Sequence, residues 1–169
     1  MVRVKRPEWA ASHERKTMSA EARVKELGLE ISKAPAPVAN YVPAVTAGKL
    51  VFLSGQGPRR PDGSFLTGKV GKDLDVDQAY QAARMVAVAL LSALKGEIGS
   101  LDRVKRVVKL LGMVNGTPEF ADHPKVINGA SDLLVEVFGD KGKHARSAVG
   151  MGSLPMGIPV EVEMIVEVE

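Results

Sequence analysis

The sequence predicts an α+β fold, a mixed β-sheet with two helices packed on one face. Three observations carry that expectation. Two helix-period segments alternate with runs of β-branched residues, antiparallel hairpin signals stand at both ends, and the chain closes on the alternating run "VEVEMIVEVE". In that last strand Val160, Val162, Met164, Val166 and Val168 fall on one side, and Glu161, Glu163, Ile165, Glu167 and Glu169 on the other. The apolar side takes the helices. The glutamate side then faces water or another subunit, and covering it with identical neighbours makes a cyclic oligomer with clefts between chains.

The first seventeen residues, "MVRVKRPEWAASHERKT", mix charges with the single tryptophan and keep no sustained period. They read as an extension, with Met18 a candidate alternative start. Ser19 offers an N-cap to a short segment, "SAEARVKELG", which Gly28 stops. Residues 34–40, "APAPVAN", form a connector in which each proline biases its predecessor away from helix. Residues 1–35 are therefore expected to be an N-terminal extension with a short helix, and residues 36–169 the main domain.

Within the main domain "YVPAV" and "KLVFLSG" read as a hairpin of two strands around the turn-prone "TAGK". Pro61-Asp62-Gly63 marks a chain reversal, because proline presets φ and glycine accepts a positive φ. Asp75 and Gln78 stand at capping-box spacing before a helix with Ala79, Ala83, Val86, Leu90 and Leu94 on one stripe, ending between Gly96 and Gly99. "RVKRVVKLLGMV" suits a long central strand, with Lys105 and Lys109 on one face and Arg106 on the other. Pro124 opens a second helix that presents Ile127, Ala130, Leu134 and Val137 before Gly139 stops it. "ARSAVGM" and "VEVEMIVEVE" are the final two strands, joined by "GSLPMGIP". The element order is ββ(β)αβαββ, with an optional third strand before the first long helix.

Bulk properties exclude several classes of function. At 169 residues, 45% hydrophobic, the chain is long enough to bury one real core. A net charge of +3 is only mildly basic, short of the concentrated stripe that a phosphate backbone demands. The absence of cysteine removes disulfides, thiolate nucleophiles and zinc-thiolate sites, and fits a reducing compartment. No stretch approaches the roughly 20 apolar residues of a membrane span, and no apolar signal-peptide core follows Arg3, Lys5 and Arg6. A cytoplasmic protein without membrane partners is expected. His13, His123 and His144 are too scattered for a metal centre, and "SGQGP" lacks the lysine and hydroxyl residue of a phosphate-binding loop.

"YVPAVTAGKLVFLSGQGP", Asn128 in the second helix, and "ARSAVGMGSLP" running into "VEVEM" together resemble the Rid family, the reactive intermediate deaminases also called the YjgF family. The resemblance covers roughly residues 36–168, and "SGQGPRRPDG" and "KVINGASDLLVEVFG" are most similar to a longer, mostly uncharacterised branch. It implies a chorismate-mutase-like subunit in a homotrimer around a central β-barrel, with three clefts at the subunit interfaces. It also implies hydrolysis of enamines such as 2-aminoacrylate, and their imine tautomers, to 2-keto acids and ammonia without any cofactor. On this resemblance Arg146 clamps the substrate carboxylate and Glu161 positions the attacking water. Tyr41, Ser54 and Gly55 line the cleft, and Asn128 lies near the site. Ala148 stands where many deaminases of the family carry cysteine, and its backbone carbonyl can serve a water equally well.

The chemistry fits a chain without sulfur nucleophiles, since an imine carbon is already electrophilic and needs orientation, a water and a proton shuttle. Arginine suits a small carboxylate because its planar fork makes two parallel charge-assisted bonds. Small residues after it, Ser147 and Ala148, leave room for ligand. Taken alone, Arg146 reads as a surface charge or an ion-pair partner of Glu161, Tyr41 as a strand aromatic packing across the hairpin, and Asn128 as bonding within its own helical turn. Glu163 and Glu167 read as solvated or interface charges. Two other functions compete with the deaminase: a small-molecule-binding or chaperone-like trimer without catalysis, and an RNA-directed ribonuclease or translation inhibitor. Aromatics at 4% leave few stacking platforms and argue against nucleic acid.

Overall fold

The computed structural model describes residues 18–31 and 40–169. The extension over 1–17 and most of the proline-punctuated connector lie outside the described residues. Helix α1 (Ala20–Glu26) precedes β1 (Ala44–Ala47), β2 (Leu50–Gln56), α2 (Val76–Ile98), β3 (Val104–Asn115), α3 (His123–Phe138), β4 (Ala145–Met151) and β5 (Val160–Val168). The five strands form one mixed sheet in the order β1-β2-β5-β3-β4. Only β3 and β4 run parallel; the other neighbours are antiparallel.

The helix signals act as their chemistry requires. The Ser19 hydroxyl accepts from the Ala22 N–H at 3.2 Å, capping α1. Asp75 and Gln78 form a reciprocal capping box at 2.8 and 3.0 Å, and Gly99 ends α2 with a φ of 81°. The stripe of Ala79, Ala83, Val86, Leu90 and Leu94 is wholly buried against the sheet, beside Ile127, Ala130, Leu134 and Val137 of α3. Val160, Val162, Met164, Val166 and Val168 of β5 complete this core. Helix α1 packs on the outside, where Arg23 donates to the Glu136 carbonyl at 3.0 Å and Glu21 meets Lys95 at 2.7 Å. Among the described residues no helix is long and apolar enough to cross a membrane.

Four expectations need correction. The C-terminal strands do not form a hairpin: β4 lies parallel to β3 at the sheet edge, and β5 inserts between β2 and β3. A strand followed by a packed helix returns parallel to its starting strand, and the loop after β4 is long enough to carry the chain past β3. The first strand begins at Ala44 rather than Tyr41. The optional third strand is only an isolated bridge between Arg59 and Phe65 around the reversal at Gly63. Finally, Arg106 and Lys109 share a face. Register shifts in β3 bring Arg106 opposite Glu167 and Lys109 opposite Ile165, because an extra residue in each bulge resets the alternation.

Helices α2 and α3 approach closely through Gly129, where a Cβ would overlap the Tyr80 backbone carbonyl. Arg84 ties the same interface to Glu136, and the Tyr80 hydroxyl donates to Asp132 at 2.9 Å. Backbone carbonyls cannot rotate aside as side chains do, so Gly129→Ala is expected to destabilise the chain by about 1–3 kcal/mol. A urea titration checks this: the midpoint falls with the slope unchanged.

Candidate functional site

The open face of the sheet carries the first cluster. Between Leu53 and Gln56 the β2–β5 register shifts, so Ser54 and Gly55 bulge beside the start of β5. A Cβ at Gly55 would overlap a carboxylate oxygen of Glu161, so the bare glycine backbone lets that carboxylate rest against β2. Glu161 is half-buried opposite Met113. Burial, and secondly the charge of Glu163, push its carboxyl above the usual range. The Ser54 N–H donates to the Pro43 carbonyl at 3.0 Å and its hydroxyl to the Val42 carbonyl at 2.7 Å, which pins the segment carrying Tyr41. Tyr41 precedes β1 and is 53% exposed, so it does not pack across the hairpin.

A second cluster lies on the helix side of the edge strand β4. Arg146 stands opposite the buried Leu110 and therefore points toward α3. Its Nη1 donates to Asn128 Oδ1 and to Ser131 Oγ, both at 2.9 Å, and its Nη2 to the Pro124 carbonyl at 3.4 Å. Arg146 is thus not an ion-pair partner of Glu161, and Asn128 bonds across to β4 rather than within its own turn. Three of its five N–H groups are used among the described residues, which leaves Nε–H and one Nη2–H. Ala148, opposite Gly112, shares this side and packs on the core. Gly150 follows, and a Cβ there would overlap the ring of His123. Ser147 does not share the space, because it points to the open face and accepts from Lys109 Nζ at 2.8 Å.

Arg146, Asn128 and Ala148 thus lie together on one side of the sheet, and Ser54, Gly55 and Glu161 together on the other. Within one subunit the two groups do not meet. Two residues at the Arg146 cluster were given no site role by the sequence: Ser131, and His144, weighed only as a metal ligand. Ser131 is one helical turn beyond Asn128, and that i, i+3 spacing is a signal the sequence carries. His144 has none, since only the turn before β4 brings its ring to Ser131. Its Nδ1 lies 2.6 Å from the Gly142 carbonyl and its Nε2 3.0 Å from Ser131 Oγ. Burial, with a lesser contribution from Arg146, holds the imidazole below its usual pKa, outweighing the opposing bond to Gly142.

Comparison with known proteins places this arrangement. The family model described as "YjgF/chorismate_mutase-like, putative endoribonuclease" matches residues 21–168. Protein TCP17 of Trypanosoma cruzi is 45% identical over 147 residues, 86% of this chain and 92% of its own. A 2-iminobutanoate/2-iminopropanoate deaminase of Dermatophagoides farinae is 33% identical over 138 residues, 80% of this chain and 91% of its own. The crystal structure of Atu1372 from Agrobacterium tumefaciens, a protein with unknown function, superposes with a TM-score of 0.80 at 42% identity, covering 95% of this chain and 99% of that one. With the mixed sheet, the two core helices and the terminal strand as described, the chain belongs to the YjgF, or Rid, family and has its chorismate-mutase-like fold.

Proposed function

We propose that this protein is a cofactor-independent hydrolase of small reactive enamine and imine acids of the 2-aminoacrylate type, working as a homotrimer. The observation that carries the reading is the state of Arg146. Three bonds to α3 fix its orientation, and the remaining Nε–H and Nη2–H have the spacing of a carboxylate's two oxygens. Kinship with a protein named as a 2-iminobutanoate/2-iminopropanoate deaminase agrees with this.

A cleft holding both Arg146 and Glu161 needs two subunits, because the residues stand on opposite faces of one sheet. The open face favours such an assembly: Val45, Leu50 and Phe52 are exposed there, beside Ile165. Packed around a common axis, that face closes into a barrel and brings the Gly55–Glu161 cluster of one copy to the Arg146 cluster of the next.

In the reaction, Arg146 holds the carboxylate of the imine, the tautomer that the enamine reaches by protonation at C3. Glu161 accepts a proton from water as its oxygen bonds to the imine carbon, and the C=N π pair moves to nitrogen. Returned to that nitrogen, the proton completes a carbinolamine; Glu161 then takes the hydroxyl proton and passes it to the nitrogen, the C–N bond breaks as the carbonyl forms, and 2-keto acid and ammonia depart. A carboxyl held above its usual range is suited to both transfers. Tyr41 and Ser54 wall the cleft, and Ala148 offers its carbonyl where a cysteine side chain is not required. Arg106 and Lys109 favour this reading over RNA binding, since Arg106 faces Glu167 and Lys109 bonds Ser147.

Activity is measured by generating 2-aminoacrylate in situ and following keto-acid release. Arg146→Ala is expected to lower kcat/KM by about 10²-fold or more, chiefly through KM. Glu161→Gln is expected to lower kcat by about 10²–10⁴-fold. A wild type that accelerates nothing over buffer, across several amino-acid-derived imines, overturns the proposal.

Glu161 also sets a pH dependence of stability. Its folded carboxyl prefers the proton, so the stability it contributes is present at low pH and lost as pH rises through the raised folded value. Removing that charge spares the loss. Thermal melts of Glu161→Gln at pH 8 are expected to lie about 1–2 °C above wild type, modest because the group is half-solvated, and to converge with it near pH 4.

A further inference from the structure

The Arg146 side chain does not end at α3. Ser131 Oγ, which accepts from Arg146 Nη1, lies 3.0 Å from His144 Nε2, and His144 Nδ1 lies 2.6 Å from the Gly142 carbonyl. Both ends of this row have fixed polarity. A carbonyl only accepts, so Nδ1 carries a hydrogen; a guanidinium only donates, so Ser131 turns a lone pair to it. The hydroxyl hydrogen is then free to point at Nε2, which must be bare to take it. Within this row the hydroxyl hydrogen has an acceptor only when His144 is neutral and protonated on Nδ1.

We propose that neutral His144, acting through the Ser131 hydroxyl, is the positioning residue that fixes the Arg146 guanidinium with its Nε–H and Nη2–H edge free for a ligand carboxylate. The proposal rests on the reading of Arg146 as a carboxylate clamp and adds to it an acid-sensitive control of that clamp.

Protonation of His144 reverses the hydroxyl. Nε2–H would donate to Ser131 Oγ, so one oxygen would face an imidazolium and a guanidinium together, and its own hydrogen would lose its acceptor. Two cations then share one hydroxyl, which drives Arg146 away from its place on α3. Among the described residues, Arg146 is the charge that acts on the ring. From β4, which follows it, His144 meets the charge of Arg146, from α3 the neutral Ser131, and from the preceding turn the Gly142 carbonyl. The turn's Asp140 and Lys143 pair with each other at 2.9 Å. On β3, Lys109 is bonded to Ser147 on the opposite face of the sheet. Burial already disfavours the imidazolium, so the resting state near neutral pH is the one that holds Arg146. The fold keeps its full share of this stability above the ordinary histidine range and loses it as pH falls through the lowered value.

Two readouts on the full-length protein test the proposal. The first needs no ligand. At pH 8 the Arg146 Nη1 and Nη2 resonances in ¹⁵N spectra are expected to be separate, because held nitrogens do not exchange places. They are expected to merge in Ser131→Ala, and in wild type as pH falls through the His144 midpoint, read from its ring resonances. Separate signals in Ser131→Ala, or a hydrogen on Nε2 of His144 at pH 8, would overturn the assignment.

The second readout is the affinity for pyruvate, a small 2-keto carboxylate ionised across this range. His144→Gln supplies an amide oxygen to the Ser131 hydroxyl and cannot be protonated. Its affinity at pH 8 is expected to stay within about threefold of wild type, and at a pH about one unit below the His144 midpoint, read from its ring resonances, to exceed wild type by about tenfold, a difference of about 1.4 kcal/mol. Glu161 titrates in every variant, so the ratio of His144→Gln to wild type isolates His144. A ratio that does not change with pH refutes the switch. Loss of pyruvate binding at both pH values refutes the clamp, and with it this proposal's ligand. Failure of 2-aminoacrylate turnover alone, with these results as expected, refutes only the hydrolase reading.

Discussion

The alternation along β5 constrains nearly everything else in this chain. Its valines and Met164 must leave water, and with β5 seated between β2 and β3 they form the floor under α2 and α3. Burying one side commits the other, so Glu161, Glu163 and Glu167 emerge together on the open face. Both core helices lie on the same side; on the open face Phe65, Leu154 and Ile158 pack over Met113 and Leu111, and apolar Phe52 and Leu50 stay exposed.

The two clusters follow from this layering. Glu161 reaches its place because the β2 bulge offers Gly55, a backbone without a side chain, under its carboxylate. Arg146 reaches its place because the crossover through α3 makes β4 a parallel edge strand, and an edge residue pointing inward meets the helix that preceded it. The acid group and the cation therefore arise from opposite sides of one sheet for topological reasons, and no rotamer change brings them together in a single copy. In the proposed function, assembly is the route that lets them share a ligand.

Much of this was legible in the sequence because it rests on local chemistry. The Ser19 cap, the Asp75–Gln78 box, the α2 stripe and the two sides of β5 depend on residues a few positions apart, and the structure has them as read. What was not legible depends on pairing between distant segments. The position of β4 required the crossover rule, and the faces of Arg106 and Lys109 required two bulges in β3 that alternation alone does not announce. Ser147 was read as spacious neighbour to Arg146, yet one step along a strand puts it on the other face, against Lys109. The family signature pointed to Arg146, Asn128, Gly55 and Glu161, whereas it gave no role to His144 or Ser131, since a ring meeting a helix across a turn leaves no periodic trace.

The central claim is that one cleft draws Arg146 from one subunit and Glu161 from the next. Subunit mixing tests it most directly. Arg146→Ala and Glu161→Ala chains, each inactive alone, are unfolded together in equal amounts and refolded, with hybrid trimers verified by native mass. If clefts are shared, about a quarter of them receive both intact residues, and about a quarter of wild-type 2-aminoacrylate hydrolysis returns. A verified hybrid as inactive as either parent would contradict the account.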